Sequence, residues 1–339
     1  MMKMNSSNYL LVLLFFFILN PLSALEHHDF PNDLAKGKER KRNKGLKICV
    51  ISDLNSSYGS TNYADEVKSV IGRLNEIKPD LILCAGDMVA GQKSSLTEDN
   101  ISAMWNSFKN AVLNPINELK IPFGFTIGNH DASPSYLLDR TLSQKFWLEN
   151  KIATGLNFVD SSNYPFYYSY IKDDVFLMSW DAAGAKVNPE IYQWMEEQLS
   201  TKQAQKAKLR ILIGHLPLYA IVDSKNKVGE VNEDPEKALK FFKKHGIDLY
   251  ISGHQHAFYP AIKEGIRFLN AGCIGDGPRK LIANKTEAVK TYTIIKIPKR
   301  KALNFTYNTY DAKHNLEIDV KSLPDSVAGF NGNSIKDIK

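Results

Sequence analysis

Five short apolar runs in this 339-residue chain each end in residues that could do chemistry. ICVISDLN ends at Asp53 and Asn55, and LILCAGDM ends at Gly86-Asp87. FTIGNHD ends at Gly128-Asn129-His130-Asp131, ILIGHLP at Gly214-His215, and LYISGHQH at Gly253-His254-Gln255-His256. Four of the eight histidines fall in these places. Carboxylates, an amide oxygen and neutral imidazoles together suit borderline metals such as Zn, Fe, Mn or Co. Asp53, Asp87, Asn129, His215, His254 and His256 are too many ligands for one ion. They suit two ions that share a bridging carboxylate, about 3.5–4 Å apart. His254 and His256, two residues apart, would share one face of an extended segment.

Each run taken alone has a plainer reading. Asp53 and Asp87 could cap helices. Asn129-His130 could be a turn, His215 a satisfied strand-end histidine, and His254 with His256 a surface pair. Their common position favours a site. All five follow an apolar strand, and in open α/β sheets the carboxyl ends of strands form the ligand crevice.

The elements that must position these residues alternate. LKICVISD reads as a strand, and Val67, Val70, Ile71, Leu74 and Ile77 recur at helical spacing after it. LILCAGD and IPFGFTIG are the next strands, around a helix over 104–119 interrupted near Pro115. A helix over 135–150 follows, then YPFYYSYI and DVFLMSWD as a hairpin. Helices over 189–203 and 235–245 flank LRILIG, and IDLYISG comes next. FYPAIKEGIRFLNAG, TYTIIKI and LNFTYNTYD are β, while residues 312–339 are polar without a period and read as a tail. This order predicts an α/β layered domain with a mixed sheet over 46–311.

The five blocks in this order resemble the calcineurin-like metallophosphoesterases, whose pattern is D-x-H, G-D, G-N-H-[D/E], G-H and G-H-x-H. Four blocks match fully and one in part, over about residues 46 to 260. The resemblance implies a four-layer αββα sandwich of mixed sheets with a two-metal site at the strand ends. It implies that Asp53, Asp87 and His256 hold a first ion, with Asp87 bridging. Asn129, His215 and His254 would hold the second. His130 would face the substrate and serve the leaving oxygen, with Asp131 orienting its ring. A metal-bridging hydroxide would attack phosphorus in line.

The first block departs from the family, because D-L-N puts Asn55 where it has His. Purple acid phosphatases also lack that His and use a Tyr in G-D-x-x-Y, but here Ala90 holds the Tyr position. The Ser/Thr protein phosphatases follow G-D with an acidic-Arg-Gly run that is missing too. Asn55 is therefore either an oxygen ligand or an uninvolved turn residue, and both leave a harder first site. Tyr58, in S-S-Y-G-S, has two readings as well, a contact to the site or simple packing.

Composition fixes the setting. Three cysteines cannot form a disulfide framework, and 11% aromatic residues exclude a disordered chain. Cys49 and Cys84 sit in apolar runs as buried thiols do, although a bridge between neighbouring strands is conceivable. Lys3, the apolar run Leu10–Leu19 and Ser23-Ala24 read as a signal peptide over 1–24. The run is shorter than the roughly 20 residues of a membrane span; the alternative is a short uncleaved anchor. Residues 25–45 read as a basic linker. Within 36–47, seven Lys or Arg face one Glu, which carries the whole formal surplus of +6. That stretch reads as a solvated linker or as an arm making weak contact with an anionic envelope.

The expectation is an exported metallophosphoesterase that takes a small phosphate mono- or diester and two di- or trivalent ions. No Lys/Arg cluster flanks the motifs, so nucleic acid is not the expected partner. The alternative is a non-catalytic envelope binding protein with a depleted first metal site. Loops 88–103 and 220–233 should border the site, but their residues spell no recognisable code.

Overall fold

The structure is a computed structural model, and it describes residues 45–283 and 287–338. The expected signal peptide and almost all of the basic linker lie outside the described residues. Among the described residues fourteen strands form two sheets: β1 Leu46–Ile51, β2 Leu81–Cys84, β3 Phe123–Phe125, β4 Phe158–Asn163, β5 Tyr167–Lys172, β6 Val175–Ser179, β7 Leu209–Ile213, β8 Leu249–Ser252, β9 Phe258–Lys263, β10 Ile266–Ala271, β11 Thr291–Ile297, β12 Thr306–Asp311, β13 Ser326–Gly329 and β14 Gly332–Lys336. The first sheet has the order β12-β11-β1-β2-β3 and the second β13-β14-β9-β10-β8-β7-β6-β5-β4. Each mixes parallel with antiparallel pairs.

Burial on both faces explains the continuous apolar runs. In β7, Leu209, Ile211 and Ile213 belong to the core that also holds β1, β2 and β3. Leu212 points the other way, into a second core with Trp194, Met195 and Phe242. Those last three residues come from the helices Pro189–Leu199 and Pro235–His245. Helices Asp65–Gly72 and Glu98–Phe108 give Val67, Val70, Trp105 and Phe108 to the first core. Helices thus cover both sheets, the layered α/β arrangement that the strand order predicts.

Several elements differ from the sequence reading. The helix expected at 104 begins at Glu98, where Thr97 and Asn100 form a capping box. It widens to a π turn over Lys109–Leu113, just before Pro115, which lacks the N–H needed for an i→i−4 bond. The helix over 189–203 breaks after Leu199 and restarts at Lys202, capped by Thr201. The stretch expected to be a tail, 312–339, is not one over its described residues, 312–338: β13 and β14 form a hairpin that pairs with β9. Burial of polar groups conceals it in sequence. Ser334, Lys336 and Asp337 are all buried, and Asp337 is paired with buried Arg267. All three cysteines are free and buried. Cys49 faces Ile82 while Cys84 faces Ile51, so the two are out of register for a bridge.

Candidate metal centre

Each of the strands β1, β2, β3, β7 and β8 stops just short of its polar block, and the chain then turns sharply. Asp53, Asp87, His254 and His256 sit at φ of 50°, 54°, 65° and 53°. Non-glycine residues rarely adopt that left-handed region. Each costs on the order of 1–3 kcal/mol, and such strain collects at functional sites. The turns hold one another. Asp53 N–H donates to Gly86 C=O at 2.9 Å, and Leu54 and Asn55 N–H to Asp87 C=O at 2.8 and 3.2 Å. Gly253 allows the close approach, because a Cβ there would collide with Ser52 Oγ and stand 2.6 Å from Asp53 Oδ2.

Asp87, Asn129, His215 and His254 form one group. His215 Nδ1–H donates to Ala85 C=O at 2.7 Å, so the lone pair of Nε2 faces inward. That nitrogen lies 3.2 Å from Asp87 Oδ2, 2.9 Å from Asn129 Oδ1 and 3.3 Å from His254 Nδ1. His254 Nδ1 is 2.9 Å from Asn129 Oδ1. The Asn129 amide nitrogen donates outward to Gln92 Oε1 at 2.6 Å, which aims its oxygen at the group. Four acceptors thus converge on one point, and a cation resolves such a cluster. The donor set fits a metal ion. Without an ion, a proton on His215 relieves part of the conflict. Burial opposes its charge, but Asp87 beside it prevails and pushes the imidazole up to about 9.

Asp53, Asp87 and His256 form the second group, and Asp87 belongs to both. His256 Nδ1–H donates to Gly277 C=O at 2.9 Å, and Nε2 lies 3.1 Å from Asp53 Oδ1. Ser52 Oγ–H donates to Asp53 Oδ2 at 2.6 Å. His254 N–H donates to the same carboxylate at 3.0 and 3.1 Å. Burial works to raise the Asp53 carboxyl, but His256 outweighs it and holds it below the usual range. This donor set also fits an ion. The two histidines of G-H-Q-H do not share a strand face, because β8 ends at Ser252 and both adopt positive φ. They reach different groups instead.

Asn55 is buried beside the second group. Its N–H goes to Asp87 C=O and its C=O accepts from Asp276 N–H at 3.0 Å. Among the described residues its side-chain amide makes no hydrogen bond. Strand alternation cannot aim it, because β1 ends at Ile51 and Asp53 has left-handed backbone.

His130 stands next to both groups and joins neither. Its Nε2 is 4.0 Å from Asp87 Oδ2, and its side chain is 21% exposed where that of His215 is fully buried. Its Nδ1 pairs with Gly91 C=O at 3.1 Å, which leaves Nε2 toward the opening. The Tyr58 ring lies 5.2 Å from the His130 ring and is 55% exposed, so it edges the site and is not core packing. Asp131 does not orient the His130 ring, contrary to what the resemblance implies. Its Oδ1 accepts from Met88 and Val89 N–H at 2.7 and 3.0 Å, and its Oδ2 from Gly128 N–H at 2.8 Å. A carboxylate one residue along a helical turn points to the loop behind the ring. Burial, then the Asp87 charge, push its carboxyl up to about 7, against three N–H donors that favour the ionised form.

Sequence reasoning missed Gln92 and Glu230, which hold Asn129 and His254. Both lie in the two loops expected to border the site. A single Gln or Glu in a loop carries no periodic or spacing signal.

A family model for calcineurin-like phosphoesterases matches residues 46–258. Phosphoenolpyruvate phosphatase of Allium cepa is 23% identical over 211 residues, 62% of this chain and 40% of that protein. Purple acid phosphatase 17 of Arabidopsis thaliana is 25% identical over 215 residues, 60% of this chain and 61% of that one. The chain thus spans less than two thirds of the length of each of these two relatives. Among solved structures, GAP50, the anchor in the inner membrane complex of Plasmodium, shares the fold. Its TM-score is 0.53 at 14% identity, covering 87% of this chain and 90% of that one.

Proposed function

The chain belongs to the calcineurin-like phosphoesterase family, and on that premise we propose that it is a metal-dependent phosphoesterase that hydrolyses small phosphate mono- or diesters. One observation carries this reading: two acceptor groups share Asp87, with His130 beside both and bound to neither. Asp53, Asp87 and His256 would hold one ion, and Asp87, Asn129, His215 and His254 the other. When bound, such ions polarise phosphoryl oxygens and lower the pKa of a coordinated water. His130 supplies what the ions do not. With Nδ1–H held by Gly91 C=O, a proton on Nε2 can pass to a departing oxygen.

In this reading the protein is exported by its N-terminal leader, and its substrate is a soluble ester and not nucleic acid. Residues 36–47 would make at most a weak contact with an anionic envelope. Among the described residues no helix is long and apolar enough to cross a membrane. A panel of phosphate esters assayed with Mn, Zn, Fe and Mg in turn tests the reading. Turnover of a nitrophenyl phosphate with two ions per chain supports it. Asn55 favours a second reading, a binding protein that lacks a competent first site. One ion or none, with no turnover under any metal, would establish that reading instead.

A further inference from the structure

His254 offers its Nδ1 lone pair inward only if its proton sits on Nε2, and a specific carboxylate decides this. Glu230 Oε2 lies 2.8 Å from His254 Nε2. It also accepts from Lys225 Nζ at 2.8 Å. A carboxylate facing an imidazole lone pair would be repulsive, so Nε2 carries the proton and Nδ1 is free to bind. Lys225 Nζ stands 3.1 Å from the same nitrogen and has N–H groups to spare, but the Glu230 contact is the shorter at 2.8 Å and draws the ring proton to Nε2.

The loop that carries Glu230 is itself tied to the ligand turn. Gln255, fully buried between His254 and His256, accepts from Ile221 and Val222 N–H at 3.1 Å each. Its amide nitrogen donates to Glu230 C=O at 3.3 Å. From the far side the tip of the β13–β14 hairpin grips the same loop. Asn331 accepts from Ala220 N–H at 3.1 Å and donates to Leu218 C=O at 2.8 Å. Phe330 N–H donates to Asn226 Oδ1 at 2.7 Å. This hairpin lies beyond residues 46–258, the span that matches the family model.

We propose that Glu230 is a positioning residue for the Asp87–Asn129–His215–His254 ion, and that the C-terminal hairpin holds it in place through the 218–230 loop. The inference rests on the proposed metal-dependent function and adds an outer layer to it. Breaking the Glu230–His254 bond frees the ring to rotate or change tautomer, and the cost falls on one ion. Loss of such an outer partner weakens metal binding by about 10- to 100-fold.

The test is calorimetric titration of the metal-stripped full chain with zinc alone, in wild type, Glu230→Ala, Glu230→Gln and Asn331→Ala. Wild type should take two zinc ions. Glu230→Ala should weaken one of them by about 10- to 100-fold and leave the other unchanged. Glu230→Gln keeps an acceptor oxygen and should recover much of that loss. Asn331→Ala should shift the same ion in the same direction by less. The Tm of the stripped forms should stay together, because Glu230 is a partly exposed side chain. Equal affinity for both ions in wild type and Glu230→Ala would overturn the positioning role alone. Equal weakening of both ions, or a Tm loss that tracks it, would show a merely structural residue. No zinc bound by wild type would remove the proposed function and this inference together.

Discussion

Asp131 and Asp87 clasp each other's turns. The Asp131 carboxylate accepts the N–H groups of Met88 and Val89, just after Asp87. The Asp87 carboxylate in turn accepts the N–H of His130 at 2.9 Å, just before Asp131. Asp87 is the residue that both ion groups share, so the clasp sets the position of both. Asp131→Asn keeps the volume but has one acceptor oxygen for three N–H donors. It should cost about 1–3 kcal/mol in urea unfolding of the stripped protein. It should also weaken both ions, unlike a change at Glu230. An unchanged unfolding midpoint would contradict the clasp.

In the proposed function His130 serves the leaving group beside the ions without binding them, so its removal should separate chemistry from metal binding. His130→Ala should retain both ions and lower turnover by ~10²–10⁴. The loss should shrink for leaving groups that depart without a proton, which a series of substituted phenyl phosphates would read out. Release of an ion from this variant would reassign the ring as a ligand.

What the sequence made legible and what it hid have one physical cause. Strands buried on both faces write continuous apolar runs, and the candidate ligands directly follow them in the chain. Asp53, Asp87, Asn129, His215, His254 and His256 could therefore be picked out before any fold was known. Partners that act across space leave no such trace. Gln92 meets Asn129 across 37 residues, and Glu230 meets His254 across 24. The same holds for the C-terminal hairpin, whose Asp337 is buried against Arg267 across 70 residues. Left-handed backbone explains the errors nearest the site. It ends strand alternation at Asp53 and His254, so the rule that residues two apart share a face does not reach Asn55 or His256.

Metal removal should make stability depend on pH through His215. Burial works against its charge, yet Asp87 pushes it up to about 9, above the 6.5 of a free imidazole. A raised imidazole contributes stability that is fully present below pH 6.5 and lost as pH rises through 9. The stripped protein should therefore melt lower at pH 9 than at pH 6.5. Ion binding displaces that proton, so affinity should rise over the same window. Calorimetry at pH 7.5 in two buffers of different ionisation enthalpy should show proton release on zinc loading. Enthalpies independent of buffer would mean that His215 is already neutral.

The last prediction concerns Asn55. Its backbone is fixed on both sides, by Asp87 C=O and by Asp276 N–H. Gly275 packs directly on its carbonyl, since a Cβ there would stand 2.6 Å from Asp53 O and closer still to Asn55 O. Asn55 is buried, its side chain makes no hydrogen bond among the described residues, and its backbone N–H ties it to Asp87 of the Asp53–Asp87–His256 group. A fixed backbone with an uncommitted side chain is a place where a new ligand can be installed without moving the chain. Asn55→His should add a nitrogen donor and tighten the ion of that group. The gain should be larger for Zn and Fe than for Mn or Mg, which favour oxygen. The ion of the other group should change less, because among the described residues Asn129, His215 and His254 make no hydrogen bond to Asn55 and only Asp87 is shared. Titration of the stripped variant with zinc and with manganese separates the outcomes. Unchanged zinc affinity at the Asp53 group would mean that the Asn55 side chain points away from the ion.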